Sequence, residues 1–249
     1  MPLITDPAFY AVAVPAVLLV GLSKSGVGAG FGALGVPLMA LAVPVPQAAA
    51  IMLPLLMVMD LLGLRALWRE RDAALLRTLL PAGLLGTALG TLLFGWLSAK
   101  AVAGLVGGIT LVFLLIRTVL PPRADAAVPS RALGWLLATV SGFTSFVAHA
   151  GGPPLGFYLL PLKLDPVRLT ATMAVFFAAV NASKWLPYAA LGLFDAGNLA
   201  AAAVLAPVAP LGVWAGVRLL RRLPPQLFQR LFLAGMAATG VKLLADALR

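Results

Sequence analysis

Apolar runs of helical length, cut by short polar and glycine-proline punctuation, lay out this chain from end to end. Residues 8 to 22 are apolar and run into a glycine-rich stretch, Ser23 to Pro37. Residues 30 to 43 form a second run, closed by Pro44 and Pro46. Gln47 to Leu64 predicts a helix with Asp60 near its end, followed by a charged loop of Arg65, Arg69, Glu70, Arg71 and Asp72. Residues 75 to 96 predict a long helix carrying Gly86 and Gly90, a spacing that lets helices approach closely. Another helix is predicted over 101 to 120. Residues 121 to 131 are the most loop-like piece of the chain. Residues 132 to 148 lead into a second break, Thr144 to Leu155, and 153 to 162 lead out of it. Helices are then predicted at 167 to 190, 198 to 217 and 227 to 247.

The order of features repeats. Pro46 ahead of one helix matches Pro166 ahead of another, Gly86 and Gly90 match Gly212 and Gly216, and the break at 26 to 30 matches that at 148 to 152. This predicts an all-α polytopic membrane protein of two repeats, 1–120 and 132–249, joined by a cytoplasmic linker at 121–131. Each repeat is a broken helix or hairpin followed by three transmembrane helices. Roughly 20 apolar residues span a bilayer as a helix, so the length allows about eight to ten segments and no separate soluble domain. With Arg65, Arg69 and Arg71 placed in the cytoplasm, the loops bearing Arg117, Arg123 and Arg131, Lys163 and Arg168, and Arg218, Arg221, Arg222 and Arg230 fall on the same side. Lys100, Lys242 and Arg249 stay outside. Corresponding loops, 65 to 72 and 191 to 198, then lie on opposite faces. The repeat is therefore inverted, provided each broken segment enters and leaves on one face; inverted repeats with discontinuous helices recur in secondary transporters.

Composition agrees with a bilayer as solvent. The chain is 62% hydrophobic and 10% charged, with a mean hydropathy of +1.04, where a soluble domain carries about 25% charged residues. The net charge of +10 does not point to nucleic acid, because the basic residues sit singly or in threes between apolar runs, as positive-inside anchors do. The absence of cysteine removes disulfides, thiol chemistry and cysteine-based metal sites. The start, Met-Pro-Leu-Ile-Thr-Asp, lacks the basic region of a cleaved signal peptide.

The two breaks concentrate the candidate chemistry. Lys24 lies between Ser23 and Ser25 and precedes Gly28 and Gly30. A lysine inside a membrane is costly unless it faces water, a partner or a substrate. Here it either contacts an anion, helped by the N–H groups of the half-helix starting near Gly30, or snorkels to a headgroup. His149, the only histidine, could carry a proton, donate to an anion, or pack through a hydrogen bond. Pro153 and Pro154 suit the first turn of a helix and leave the donors of Gly151 and Gly152 open. Thr144 and Ser145 offer hydroxyls for an anion or for helix capping. Asn181 and Lys184 are further candidates for substrate contact. Asp60 is expected to pair with Arg65 or Arg69 near the interface, ahead of a role in coupling. Gly30-Phe31-Gly32-Ala33-Leu34-Gly35 matches the dinucleotide fingerprint but has no preceding strand pattern and no acidic residue about 20 positions on, so it is a chance match. No metal set, cofactor motif or enzyme constellation is visible.

The segment Ser145 to Pro161, followed by Phe176 to Tyr188 and preceded by the first break with Val36-Pro37-Leu38, resembles the sulfite exporter TauE/SafE family over nearly the whole chain. Gly28-Ala29-Gly30 stands where many members have a run of glycines. The resemblance implies two related halves in a bacterial inner membrane. It also implies a secondary transporter, expected to export a small anion such as sulfite, thiosulfate, sulfate or an organosulfonate like sulfoacetate. The partners expected are that anion, the lipid bilayer, a proton or sodium as coupling ion, and a second copy of the chain, since small-residue helix faces admit a homodimer. The alternatives are an anion channel and a membrane assembly protein that transports nothing.

Overall fold

The computed structural model describes residues 4, 6–24, 31–94 and 129–248, with scattered positions from 96 to 115. The described residues form helices and turns. Helix α1 spans Pro7–Lys24; a 3₁₀ turn, Phe31–Leu34, leads into the short α2, Gly35–Met39. Helix α3 spans Val45–Leu67 and α4 spans Ala73–Leu93. After the linker region come α5, Arg131–Ala148, and α6, Gly152–Leu159. Then follow α7, Pro166–Ser183, α8, Trp185–Ala190, α9, Ala196–Leu205, α10, Val208–Leu220, and α11, Pro225–Leu248.

Local chemistry explains most boundaries. Asp72 caps α4 by accepting from the N–H groups of Ala74 and Leu75, both at 3.0 Å. Asp165 does the same for α7, where Pro166 takes the first position and loses no bond by lacking an N–H. Ser130 caps α5 and Asp195 caps α9. Two predicted helices are shorter than expected. The run 167 to 190 is interrupted at Lys184. The run 198 to 217 divides at Ala206-Pro207, and its two parts are bent by 46°. Pro207 has no N–H for the ladder and its ring crowds the preceding turn, so the helix bends there.

Among the described residues, five helices are long and apolar enough to cross a membrane, and the bent pair α9–α10 makes a sixth. Their outer faces are apolar: Leu92 is 73% exposed and Leu186 84%, and Trp96, just past α4, is 87% exposed. In water such surface would aggregate; facing acyl chains it is ordinary, and tryptophan at the rim is usual.

The packing partners exchange between the two parts of the chain. Helix α4 lies along α5, and α10 lies along α1. Helix α4 also packs on α7, and α10 on α3, while α3 and α7 meet each other. Glycines make the closest contacts. A Cβ on Gly86 would stand 1.9 Å from the carbonyl oxygen of Thr139, and one on Gly142 would stand 1.9 Å from that of Gly83. On the other side, a Cβ on Gly21 would meet the Gly212 Cα at 2.9 Å. These glycines are used in packing within the chain.

One face gathers the charged loops. Arg168 donates to Asp72 at 2.7 Å, Arg221 lies 3.6 Å from Glu70, and Arg71 sits over the Trp68 ring. Burial disfavours the Asp72 carboxylate, but the N–H groups of Leu75 and Ala74 and the Arg168 guanidinium outweigh it and hold the carboxyl below its ordinary value.

Candidate functional site

Between the apolar clusters lies a cavity of about 60 Å³ at the meeting of both breaks. Helix α1 brings Ser23 and Lys24, α3 brings Asp60, α5 brings Ser145, α6 brings Gly152 and α7 brings Asn181; His149 lines it from the break itself. The apolar wall comes from Val20, Leu56, Met59, Met173 and Phe177.

The first break is closed by Ser23, whose hydroxyl accepts the Gly32 N–H at 2.7 Å and draws the 31–34 turn back to the end of α1. Lys24, the last residue of α1, points its ammonium at Asp60 Oδ1. This corrects the pairing of Asp60 with Arg65 or Arg69. Asp60 is 3% exposed, and its other oxygen accepts from Asn181 Nδ2 at 2.7 Å. The two arginines follow Asp60 in sequence but lie toward the end of α3 and beyond, whereas Lys24 and Asn181 reach it through the packing of α1 and α7 on α3.

The second break turns at His149, which adopts φ 50° and ψ 28°, a left-handed conformation uncommon for residues with a Cβ. It serves as the C-cap of α5: its N–H reaches the Ser145 carbonyl at 3.0 Å, and the Ala150 N–H reaches that of Thr144 at 3.2 Å. Ser141 Oγ donates to the Gly151 carbonyl at 2.7 Å and Thr144 Oγ1 donates to that of Ala150. Helix α6 then begins. A helix start leaves four N–H groups without an intrahelical acceptor. Pro153 and Pro154 remove two of them, leaving those of Gly151 and Gly152 beside the cavity.

Lys184 is the hub of the polar core and is wholly buried. Its Nζ lies 2.7 Å from the Ser145 carbonyl, 2.8 Å from Ser145 Oγ, 2.8 Å from Asn181 Oδ1 and 3.0 Å from His149 Nδ1. His149 Nε2 in turn lies 3.1 Å from the Ala49 carbonyl. A continuous chain therefore runs from Ala49 through His149, Lys184, Asn181 and Asp60 to Lys24.

Of the residues expected from sequence, Ser23, Lys24, Asp60, His149, Gly152 and Asn181 line the cavity. Gly151 and Pro153 flank it in the second break. Lys184 stands behind the wall, where it positions His149 and Asn181 rather than facing the space. Ser25, Gly28 and Gly30 lie outside the described residues. Ser145 is more central than its sequence suggested, because half of its role is a main-chain carbonyl, which leaves no mark in a sequence. The Ala49 carbonyl was missed for the same reason. The fingerprint-like glycines around Gly32 fall on a turn and a helix, with no strand among the described residues. Nor do the described residues include a group of three or more His, Asp or Glu suited to a metal.

The family model for sulfite exporter TauE/SafE matches residues 13–243. No curated protein and no solved structure matches the chain.

Proposed function

The chain belongs to the sulfite exporter TauE/SafE family, and from that premise we propose that it is a secondary transporter carrying a small sulfur-containing anion through the cavity between its breaks. The observation that carries this reading is the cavity itself, walled by both breaks and lined on one side by an ammonium, a histidine and the glycine start of a helix. Preorganised N–H groups and fixed positive charge at a helix start are what a small oxyanion needs when it leaves water.

The chain divides into repeats 1–120 and 132–249 around the 121–131 linker, inverted with respect to each other. The exchange of partners, α4 with α5 and α10 with α1, supports this division. The face carrying Arg71, Arg168 and Arg221 is cytoplasmic by the positive-inside rule, in a bacterial inner membrane. Transport is by alternating access in the direction of export, with sulfite, thiosulfate, sulfate or an organosulfonate such as sulfoacetate as cargo. A proton or sodium gradient drives it, with His149 and Asp60 as the groups through which coupling acts.

The test is flux into proteoliposomes of purified protein with sulfite, sulfate, thiosulfate and sulfoacetate, with and without a pH gradient. Saturable movement of at least one anion that responds to the gradient is the expected result. Conduction without saturation replaces the transporter with a channel, and no movement or binding of any of them ends the sulfur-anion reading.

A further inference from the structure

The charges around the cavity follow from its hydrogen bonds once Lys184 is taken in its ordinary ammonium form. Lys24 and Asp60 form one ion pair and cancel. The Ala49 carbonyl only accepts, so His149 Nε2 carries a proton. The Ser145 carbonyl and Asn181 Oδ1 also only accept, and Lys184 Nζ, which lies 2.8 Å from Ser145 Oγ as well, gives them two protons in its ordinary ammonium form. The oxygen assignment of Asn181 follows from its amide nitrogen, which donates to Asp60. One proton remains between Lys184 Nζ and His149 Nδ1, 3.0 Å apart, since two facing lone pairs would repel. Whichever nitrogen holds that proton, the His149–Lys184 pair bears one positive charge. Residues 25 to 30, which complete the first break, include no ionisable side chain. Among the described residues the site therefore carries a net charge of one positive unit, and it would carry two without Asp60.

We infer that Asp60 sets the valence of the cargo, making the cavity selective for an anionic group with a single negative charge over one with two. This rests on the reading of the cavity as the transport site. A monoanionic head, such as hydrogen sulfite or a sulfonate, brings the site to neutrality. A dianion such as sulfate leaves one negative charge unpaired in a low-dielectric interior, where an unpaired charge is expensive. Asp60 is well placed to hold this balance. Lys24 occupies one of its oxygens and Asn181 the other, so the carboxylate is fixed from two sides.

Methanesulfonate and sulfate test this directly, because both are tetrahedral at sulfur and of similar size but differ by one charge. Wild-type protein in proteoliposomes should take up methanesulfonate in preference to sulfate by about thirtyfold or more, the ratio expected when a buried charge lacks its partner. Asp60→Asn should shift that ratio toward sulfate by a similar factor, and Asp60→Glu should keep the wild-type direction. The double variant Lys24→Gln with Asp60→Asn restores the net charge, so its ratio should return toward methanesulfonate whatever its absolute flux. Equal uptake of both anions by the wild type, or a preference for sulfate, overturns the valence rule while leaving transport intact. A ratio in Asp60→Asn that matches wild type also overturns it. If neither anion binds nor moves in the wild type while sulfite does, the rule fails and the transport reading stands. If sulfite is inert as well, both fall. Should Asp60→Asn not fold, the wild-type ratio alone decides.

Discussion

At the first break a lysine ends α1 and meets a carboxylate on α3; at the second a histidine ends α5 and meets a lysine just past α7. The positions correspond, yet the charges do not. Lys24 is paired with Asp60 and its side chain is 16% exposed, whereas Lys184 has no carboxylate of its own and is wholly buried among neutral acceptors. The first pair cancels and the second retains a charge. A site built from these two breaks thus becomes cationic through their difference. Asn181 joins the two pairs, donating to Asp60 with one end of its amide and accepting from Lys184 with the other.

The strongest way to break this comparison is at the hub. Lys184→Met strips donors from Ser145, Asn181 and His149 at once and should cost about 3–5 kcal/mol, read as a fall in thermal midpoint of the detergent-solubilised protein. A loss no larger than that of Lys24→Met would mean the two lysines are equivalent after all. Next come the glycine seams. Gly86→Ala sets a methyl against a main-chain oxygen at 1.9 Å and should destabilise by about 3 kcal/mol, while Gly212→Ala, with its nearest atom at 2.9 Å, should cost about 1 kcal/mol. Equal losses would show that the α1–α10 seam is as tight as α4–α5.

His149→Gly separates function from fold. Glycine removes a left-handed strain of about 1–2 kcal/mol. It also removes the ring bonds to Ala49 and Lys184. Flux should therefore vanish while the thermal midpoint falls by less than in Lys184→Met. Retained flux would take His149 out of the site.

The smallest effect lies at the charged face. The Asp72 carboxyl sits below its ordinary value of 3.8, so its contribution is present in full at neutral pH and fades as pH falls through the folded-state value. Thermal midpoints followed into the acid range should decline, and Asp72→Asn should flatten that decline and cost about 1 kcal/mol at neutral pH, since Arg168 is half exposed. A cost equal to that of Asp60→Asn would show that burial of the central pair adds nothing.

How far the sequence could reach depended on the range of each interaction. Asp165-Pro166 and the glycines of the second break announce a helix start and a turn through local chemistry, and the structure has both. Gly86 signalled close approach, though its partner Thr139 could not be read from spacing. Asp60 was matched with the arginines near it in the chain because proximity in sequence is all a sequence offers. Its true partners lie on α1 and α7. Pro207 bends its helix, whereas Pro15, Pro54 and Pro81 sit inside helices that continue through them. In a bilayer a proline alone does not say whether the helix bends or continues, since neighbours can re-satisfy the freed carbonyls.

The seam of Gly21 on Gly212 carries a consequence for how the chain is made. Helix α1 leaves the ribosome well before α10, so the bare backbone it must rest against arrives about 190 residues later. Until α10 has been synthesised, that glycine face waits in the lipid with no permanent neighbour. Such late, long-range closure is slow and open to mispairing. The order of synthesis thus leaves α1 to be completed by a helix made long after it.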